Sequence, residues 1–447
     1  MSSQIQPRTL KGFRDYLPEL MIPRERMLET ARQVYRSYGF APIDTPALEY
    51  SEILLGKGGA ETDRQLYRFR DHGDRDVALR FDLTVPFARF AAEHIGKIGI
   101  PFKRYHMGVV WRGENTQHGR YREFMQCDFD TIGTTSNAAD CETALVIYDL
   151  MAALDREFGF GAFEICINNR LLLNGLLEEL GLADKAKALL IALDKLGKAG
   201  ADAVAQEMVD KAQVQAEQAR RILALAQMEG SNEEVLRRVE ANFGRNPKSA
   251  DGVQRLRELL AVAKMAGVPE GRIRIDLSIA RGLDYYTGTI YETFLKAMPN
   301  IGSVCSGGRY DNLANLYAKQ VLPGIGASLG LDRLLAALEE LGKLDKTTTP
   351  APVIVFCMAM ECLGDYQRLA RMLRASGIGV EVYPDAKKIG QQFQYAERRG
   401  HRVALIAGPS EFTQGVYNVK DLAAKEQLDS VPEAELVEAV RKLLAPK

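Results

Sequence analysis

Three arginines crowd the stretch RGENTQHGRYREFMQCDFDTIG, residues 112–133: Arg112, Arg120 and Arg122. Residues 101–123 carry five Lys/Arg against two Glu. An arginine keeps its charge at physiological pH and offers a fixed fork of donors, which suits phosphate oxygens. The plainer alternative is a solvated hairpin tip with surface ion pairs, each contributing about 0–1 kcal/mol. Arg112 speaks against it, because it follows Trp111 on an alternating apolar segment where an unpaired guanidinium is costly.

Four other stretches hold chemistry-bearing residues. In RGLDYYTGTIYE (281–292), consecutive tyrosines on a strand point to opposite faces, so at least one phenol is directed inward. Arg281 adds a further fixed cation, and Gly282, Thr287 and Gly288 let another group approach the backbone. Cross-strand aromatic packing in a hairpin is the simpler account. SVCSGGRYDNL (303–313) leaves room for a planar ligand, although a bulge or tight turn explains Gly307–Gly308 more simply. GIGASLGLDRLLAALEE (324–340) is a glycine-rich strand entering a helix, with Asp332 and Arg333 at the helix start. Its spacing misses the dinucleotide fingerprint, and no P-loop is present. ATP bound here would rest on arginines and backbone instead of a P-loop lysine. Finally, KKIGQQFQYAERRGHR (387–402) has five Lys/Arg, one Glu, and interleaved Phe393 and Tyr395. That composition suits a nucleic-acid surface and equally a solvated helix face.

The elements that must position these residues follow from periodicity. Residues 20–39 predict an amphipathic helix through Met27, Ala31, Val34 and Tyr35, closed by Gly39. FAPIDTPALEY predicts an edge strand. DVALRFDLTVPFARF, FKRYHMGVVWR and REFMQCDFDTIG alternate with period two and predict an antiparallel sheet. Residues 138–159 predict a helix, and four helical patterns rich in Ala, Leu, Glu and Lys fill about 170–268, an insertion between β-rich segments. The Thr/Pro-rich LGKLDKTTTPAP (341–352) predicts a linker. Short apolar strands alternate with helices beyond it, which predicts a small α/β domain with some parallel pairing.

Composition bounds the function. A chain of 447 residues with 58 Lys+Arg and 59 Asp+Glu has no global signal for nucleic acid, so phosphate binding must come from local patches. Six cysteines at 127, 141, 166, 305, 357 and 362 form no CxxC pair, which fits a reducing cytosol better than zinc or a disulfide framework. No apolar run reaches the roughly 18–20 residues of a membrane span, and MSSQIQPRTLKGFRDY has no targeting pattern.

Taken in order, the stretches resemble the class II aminoacyl-tRNA synthetases, and among them the histidyl-tRNA synthetase family. The resemblance runs over nearly the whole chain. KGFRDYLP (11–18) resembles the family's N-terminal signature and IDTPALEY (43–50) its dimerisation motif 1. FKRYHMGVVWRGENTQHGRYREFMQCDFD is similar to motif 2 and GIGASLGLDRL to motif 3. RGLDYYTGTIYE and SGGRYDNL resemble the two peptides specific to histidine.

The resemblance implies an α+β fold: a six-stranded antiparallel sheet flanked by helices in a catalytic domain over 1–342, with the helical insertion at about 170–268. A linker over 343–352 and an anticodon-binding α/β domain over 353–447 complete it. It implies ATP-dependent activation of L-histidine to histidyl-adenylate and transfer to the 3′ end of tRNA(His), by a cytoplasmic homodimer using Mg²⁺. Arg112 and Arg281 are then the catalytic cations. Asp82, Leu83, Thr84, Arg112, Gln126, Asp130, Arg281, Tyr285 and Tyr286 bind histidine, and Arg112, Glu114, Arg120 and Arg333 bind ATP. No protein side chain is expected as a metal ligand. Gln117, His118, Arg120 and Arg122 are placed toward the tRNA acceptor end. The rival reading is the family's regulatory paralogue, a histidine sensor that partners ATP phosphoribosyltransferase without charging tRNA. The arginines at 112, 281 and 333 and the full C-terminal domain speak against it.

Overall fold

The computed structural model describes residues 5–56, 60–279, 285–317, 320–345 and 347–445. It divides into two compact units, Met1–Asp15 with Arg26–Lys343, and Tyr16–Glu25 with Leu344–Lys447. No composition shift signals that residues 16–25 group with the C-terminal part.

The strands of the first unit are β1 (Ala41–Pro42), β2 (Leu48–Tyr50), β3 (Arg68–Arg70), β4 (Asp76–Leu79), β5 (Phe102–Trp111) and β6 (Glu123–Ile132). They continue with β7 (Phe163–Asn169), β8 (Ile273–Ile275), β9 (Thr289–Leu295), β10 (Cys305–Tyr310) and β11 (Gly324–Gly330). Eight of them form one sheet in the order β1-β5-β6-β11-β10-β9-β7-β8. The six central strands are antiparallel throughout, as expected. The edges are parallel: β1 runs with β5 and β8 with β7, so the whole sheet is mixed. A second, three-stranded sheet has the order β2-β4-β3.

Register decides which side chains meet. Arg104 on β5 lies opposite Asp130 on β6, His106 opposite Asp128, and Gly108 opposite Gln126. Gly307 and Gly308 form neither a bulge nor a turn; they lie inside β10, paired to β11. Their role is close packing. A Cβ on Gly307 would stand 2.1 Å from the Gly326 carbonyl oxygen, and one on Gly326 would stand 2.3 Å from Asp130 Oδ1.

Helices cover the sheet. Met27, Ala31 and Tyr35 of Pro18–Ser37 are fully buried at the predicted spacing, and the Tyr35 hydroxyl donates to the Cys127 carbonyl at 2.9 Å. Asn137–Phe158 starts at Ser136, whose side chain accepts from Ala138 N, and closes at Gly159 in the left-handed region. One expected strand is a helix. DVALRFDLTVPFARF leaves β4 after Leu79 and becomes Thr84–Ile98, because Asp82 Oδ1 accepts from Val85 N at 3.0 Å and satisfies the helix start. Val85, Phe87, Ala88 and Ala91 then bury at helical spacing, which a short alternating window does not reveal. The insertion is helical as predicted, from Arg170–Glu179, capped by Asn169, to Pro247–Met265, capped by Asn246 with Pro247 in its first turn.

The second unit holds β12 (Val353–Val355), β13 (Val380–Val382), β14 (Val403–Ile406), β15 (Val416–Asp421) and β16 (Glu426–Pro432), in the order β13-β12-β14-β15-β16. The first three are parallel and the last two antiparallel. Tyr366, Phe356 and Tyr417 are fully buried in its core. The basic stretch KKIGQQFQYAERRGHR supplies the helix Ile389–Arg399, whose Gln392 is buried and bonds both N and O of Cys357.

Candidate active site

The central strands floor a cavity of about 1010 Å³. Arg112, at the exit of β5, lines it. Its guanidinium is held by aromatic faces and one carbonyl: it lies 4.2 Å from the Phe81 ring centre, 5.0 Å from that of Phe124, and Nε donates to Phe81 O at 3.1 Å. Among the described residues no carboxylate forms an ion pair with this cation, so it is oriented by rings and a carbonyl. Burial lowers its pKa from the ordinary arginine value, and Asp82 and Glu114 pull the other way. Arg333, in the first turn of Leu331–Glu340, donates to the Ser303 carbonyl and is likewise lowered by burial, then by Arg120. Arg120 is 3.7 Å from Glu114. A side chamber of about 140 Å³ is bordered by Arg112, Glu114, Arg120, Phe124 and Arg333, so three guanidiniums face one space.

The remaining wall is rich in acceptors. Asp82 is buried; burial raises its pKa, and its Oδ2 accepts from Tyr285 at 3.3 Å. Asp130 Oδ1 accepts from Tyr310 at 2.6 Å, while Oδ2 lies 2.6 Å from the fully buried Arg104. Gln126 Nε2 donates to Ser328 Oγ at 3.3 Å, and its Oε1 has no partner among the described residues.

Tyr285 and Tyr286 do not alternate on a strand; β9 begins at Thr289. Both line the same cavity, edge to face at 5.3 Å, and Tyr310 also meets Tyr285 edge to face at 6.0 Å. Arg309 explains how this turn is fixed. Buried in β10, it bonds Asp140, Asp311 and the carbonyls of Thr134 and Ser136. Thr287 then bonds back, N to the Arg309 carbonyl and Oγ1 to Asp311, each at 2.7 Å.

Of the expected site residues, Asp82, Thr84, Arg112, Arg120, Gln126, Asp130, Tyr285, Tyr286 and Arg333 line the cavity, and Glu114 borders the side chamber. Leu83 departs from expectation: its side chain is fully buried in the core and only its carbonyl faces a cation, Arg104 at 3.4 Å. Arg122 is also redirected, since it donates to the Glu114 and Lys11 carbonyls and braces the loop instead of facing phosphate. Gln117 and His118 line the cavity mouth. Arg281 lies outside the described residues. Periodicity alone missed Arg104, Tyr310, Asp128 and Arg309. The SGGRYDNL stretch held two of them, whereas Arg104 and Asp128 become visible only through the β5–β6 register.

A central antiparallel sheet that floors a cavity lined by arginines, with no P-loop, is the arrangement of a class II aminoacyl-tRNA synthetase. A family model described as Histidyl-tRNA synthetase matches residues 12–334, and one described as Anticodon binding domain matches residues 352–443. The chain is 59% identical over 442 residues to the histidine–tRNA ligase of Rhodopirellula baltica, covering 98% of this chain and 99% of the relative. The crystal structure of histidyl-tRNA synthetase from Nostoc sp. PCC 7120 superposes with a TM-score of 0.88 at 35% identity, over 98% of this chain and 100% of that one. A structure from Bacillus halodurans, described as an ATP phosphoribosyltransferase regulatory subunit/histidyl-tRNA synthetase, covers 88% of this chain and 97% of its own at TM-score 0.74 and 21% identity, a likeness of fold alone. The chain belongs to the histidyl-tRNA synthetase family.

Proposed function

We propose that the protein activates L-histidine with ATP and transfers it to tRNA(His). The observation that carries this reading is the cavity with two chemistries: three guanidiniums around one chamber, and acceptors with paired phenols on the remaining wall. In the first step the histidine carboxylate attacks the α-phosphorus in line. An O–P bond to the amino acid forms, the bond to the β-phosphate breaks, and pyrophosphate leaves with its electron pair. The attacking carboxylate is already ionised, so no general base is required. Arg112, with Arg281 as the proposed second cation, stabilises the charge developing on phosphorus. Arg333 and Arg120 are suited to the outer phosphates. Asp82 is suited to the α-ammonium, and Asp130 and Tyr286 to the imidazole. In the second step the terminal ribose hydroxyl of tRNA attacks the carbonyl carbon, the bond from that carbon to the phosphate oxygen breaks, and AMP leaves with the electron pair while the hydroxyl proton passes to a phosphate oxygen of the adenylate.

Among the described residues no group of three or more His, Cys, Asp or Glu is present to cage a metal. The site would fit Mg²⁺ held mainly by the phosphates of ATP, with Glu292 among the carboxylates of the cavity wall able to assist. The ion would neutralise phosphate charge. The described cysteines are free and buried, which supports a reducing cytoplasm, and no described helix is long and apolar enough to cross a membrane. The regulatory reading has less support, because the anticodon-type unit is present in full and the identity to named ligases is high. Histidine-dependent ATP–pyrophosphate exchange tests the assignment. Exchange with histidine and with no other amino acid is expected; an absence of exchange would favour the sensor.

A further inference from the structure

The stretch KGFRDYLP takes no part in the chemistry above: none of residues 11–14 lines the cavity or its side chamber. Residues 10–14 are instead strapped across the base of the loop 112–122. Phe13 N donates to the Leu10 carbonyl at 3.0 Å, closing a turn in which Gly12 takes a φ of +89°. The Gly12 carbonyl accepts from Arg122 N at 2.8 Å, and the Lys11 carbonyl accepts from Arg122 Nη1 at 3.3 Å. The Arg122 carbonyl accepts in turn from Arg112 N at 2.8 Å, so the strap, the loop exit and the loop entry form one ladder. A Cβ on Gly12 would stand 2.7 Å from Arg122 Cδ and 2.8 Å from Thr116 Cγ2, which leaves room for glycine only. Phe13 anchors the strap on Tyr67, edge to face at 6.3 Å.

Arg14 carries the strap further. Its Nη1 donates to the Tyr121 hydroxyl at 2.7 Å, and its guanidinium carbon lies 5.5 Å from the Tyr121 ring centre. Its Nη2 is 3.6 Å from Glu339. Tyr121 borders the side chamber together with Arg112, Glu114, Arg120 and Arg333. Glu339 belongs to the helix Leu331–Glu340, whose first turn supplies Arg333. Arg14 therefore spans the two elements that deliver the chamber's cations. The pair with Glu339 is 23% and 45% exposed, so water screens it and the part-buried bond to Tyr121 is the firmer tie. The histidine side of the cavity is held by other groups: Asp82 by Val85 N and Tyr285, Asp130 by Arg104 and Tyr310.

We infer that Arg14 is a positioning residue for the nucleotide half of the site: through Tyr121 it fixes the loop that holds Glu114 and Arg120 against the chamber. It touches no substrate. A guanidinium suits this task because its planar fork reaches a phenol and a carboxylate at once, in fixed geometry. Loss of the tie leaves the loop base bonded through Arg122 but frees the Tyr121 side, so the ordering of the chamber is completed only when ATP binds. The inference rests on the proposed use of ATP and adds to it a residue outside the cavity whose effect is confined to one substrate.

The test measures ATP–pyrophosphate exchange and melting temperature in the full chain, in Arg14→Met, in Tyr121→Phe and in the double variant. Arg14→Met should raise the ATP KM about tenfold, as for one hydrogen bond to a charged group, and leave the histidine KM within about twofold. Tyr121→Phe removes only the hydroxyl and should give a similar rise. The double variant should match the single ones within about twofold, because all three lose the same bond. Arg14→Lys keeps a donor for the phenol and should recover most of the ATP KM; it also serves as the comparison if the methionine variant folds poorly. Effects that multiply in the double variant show that Arg14 does not act through Tyr121 and overturn the inference. So does a lower melting temperature with an unchanged ATP KM, which makes the strap structural only, or an equal rise in both KM values. Exchange absent from the unmodified protein instead defeats the proposed activation itself.

Discussion

Arg112 shows how one side chain is kept ready for an anion. Its guanidinium lies over the Phe81 and Phe124 rings and gives one N–H to a carbonyl, and among the described residues no carboxylate pairs with it where it borders the chamber. Lysine cannot reproduce that arrangement, because it has neither the planar fork nor the stacking face. Arg112→Lys should therefore lower the exchange rate about 10²- to 10³-fold at saturating substrates, as for loss of one preorganised donor. A loss under threefold would show that charge alone suffices. Arg281, assigned by resemblance, is tested separately: Arg281→His should abolish exchange and leave histidine binding measurable by calorimetry. A variant that lost binding but kept its rate at saturation would reverse that assignment.

At the scale of elements, the turn carrying Tyr285 and Tyr286 depends on hydrogen bonds to β10. Thr287 joins the turn to Arg309 and Asp311, and Arg309 joins β10 to the start of the helix Asn137–Phe158 through Asp140. Thr287→Val keeps the shape and removes the hydroxyl. The histidine KM should rise about tenfold, in proportion to one lost hydrogen bond to a charged group, with the ATP KM unchanged. Thr287→Ser should restore it. Equal changes in both KM values would mean that the turn supports the whole cavity. Paired tyrosines, a Gly-Gly and a glycine-rich strand were all legible as features of interest. Their arrangement was not, because Tyr285 and Tyr286 lie in a turn ahead of β9, where strand alternation does not hold, and because the glycines serve the approach of β11 to Asp130.

At the scale of the whole molecule, the small sheet leaves an apolar face uncovered. Leu48, Tyr50 and Phe69 are 42%, 52% and 45% exposed, and the register sets Tyr50 and Phe69 on either side of Val77. Contiguous exposed apolar side chains of this kind mark interaction surfaces. This supports the proposed homodimer, with the IDTPALEY segment at its interface. Tyr50→Glu should shift the protein toward monomer in sedimentation equilibrium and reduce exchange in parallel; a variant that sediments like the unmodified chain would remove this face from the interface.

Much was settled by the chain itself. Its periodicities determined most of the helices, those of residues 170–265 among them, and the central antiparallel strands, since amphipathic spacing is a local property. Its ordered motifs determined the family. Which groups share one cavity was decided by tertiary structure alone. Arg104 meets Asp130 through a ten-residue hairpin register, Tyr310 reaches Asp130 across 180 residues of chain, and Leu83 and Arg122 are turned to structural use by neighbours distant in sequence. The physical reason is that hydrogen bonding and charge compensation are satisfied between elements, so which groups meet is decided only when the strands and helices come together.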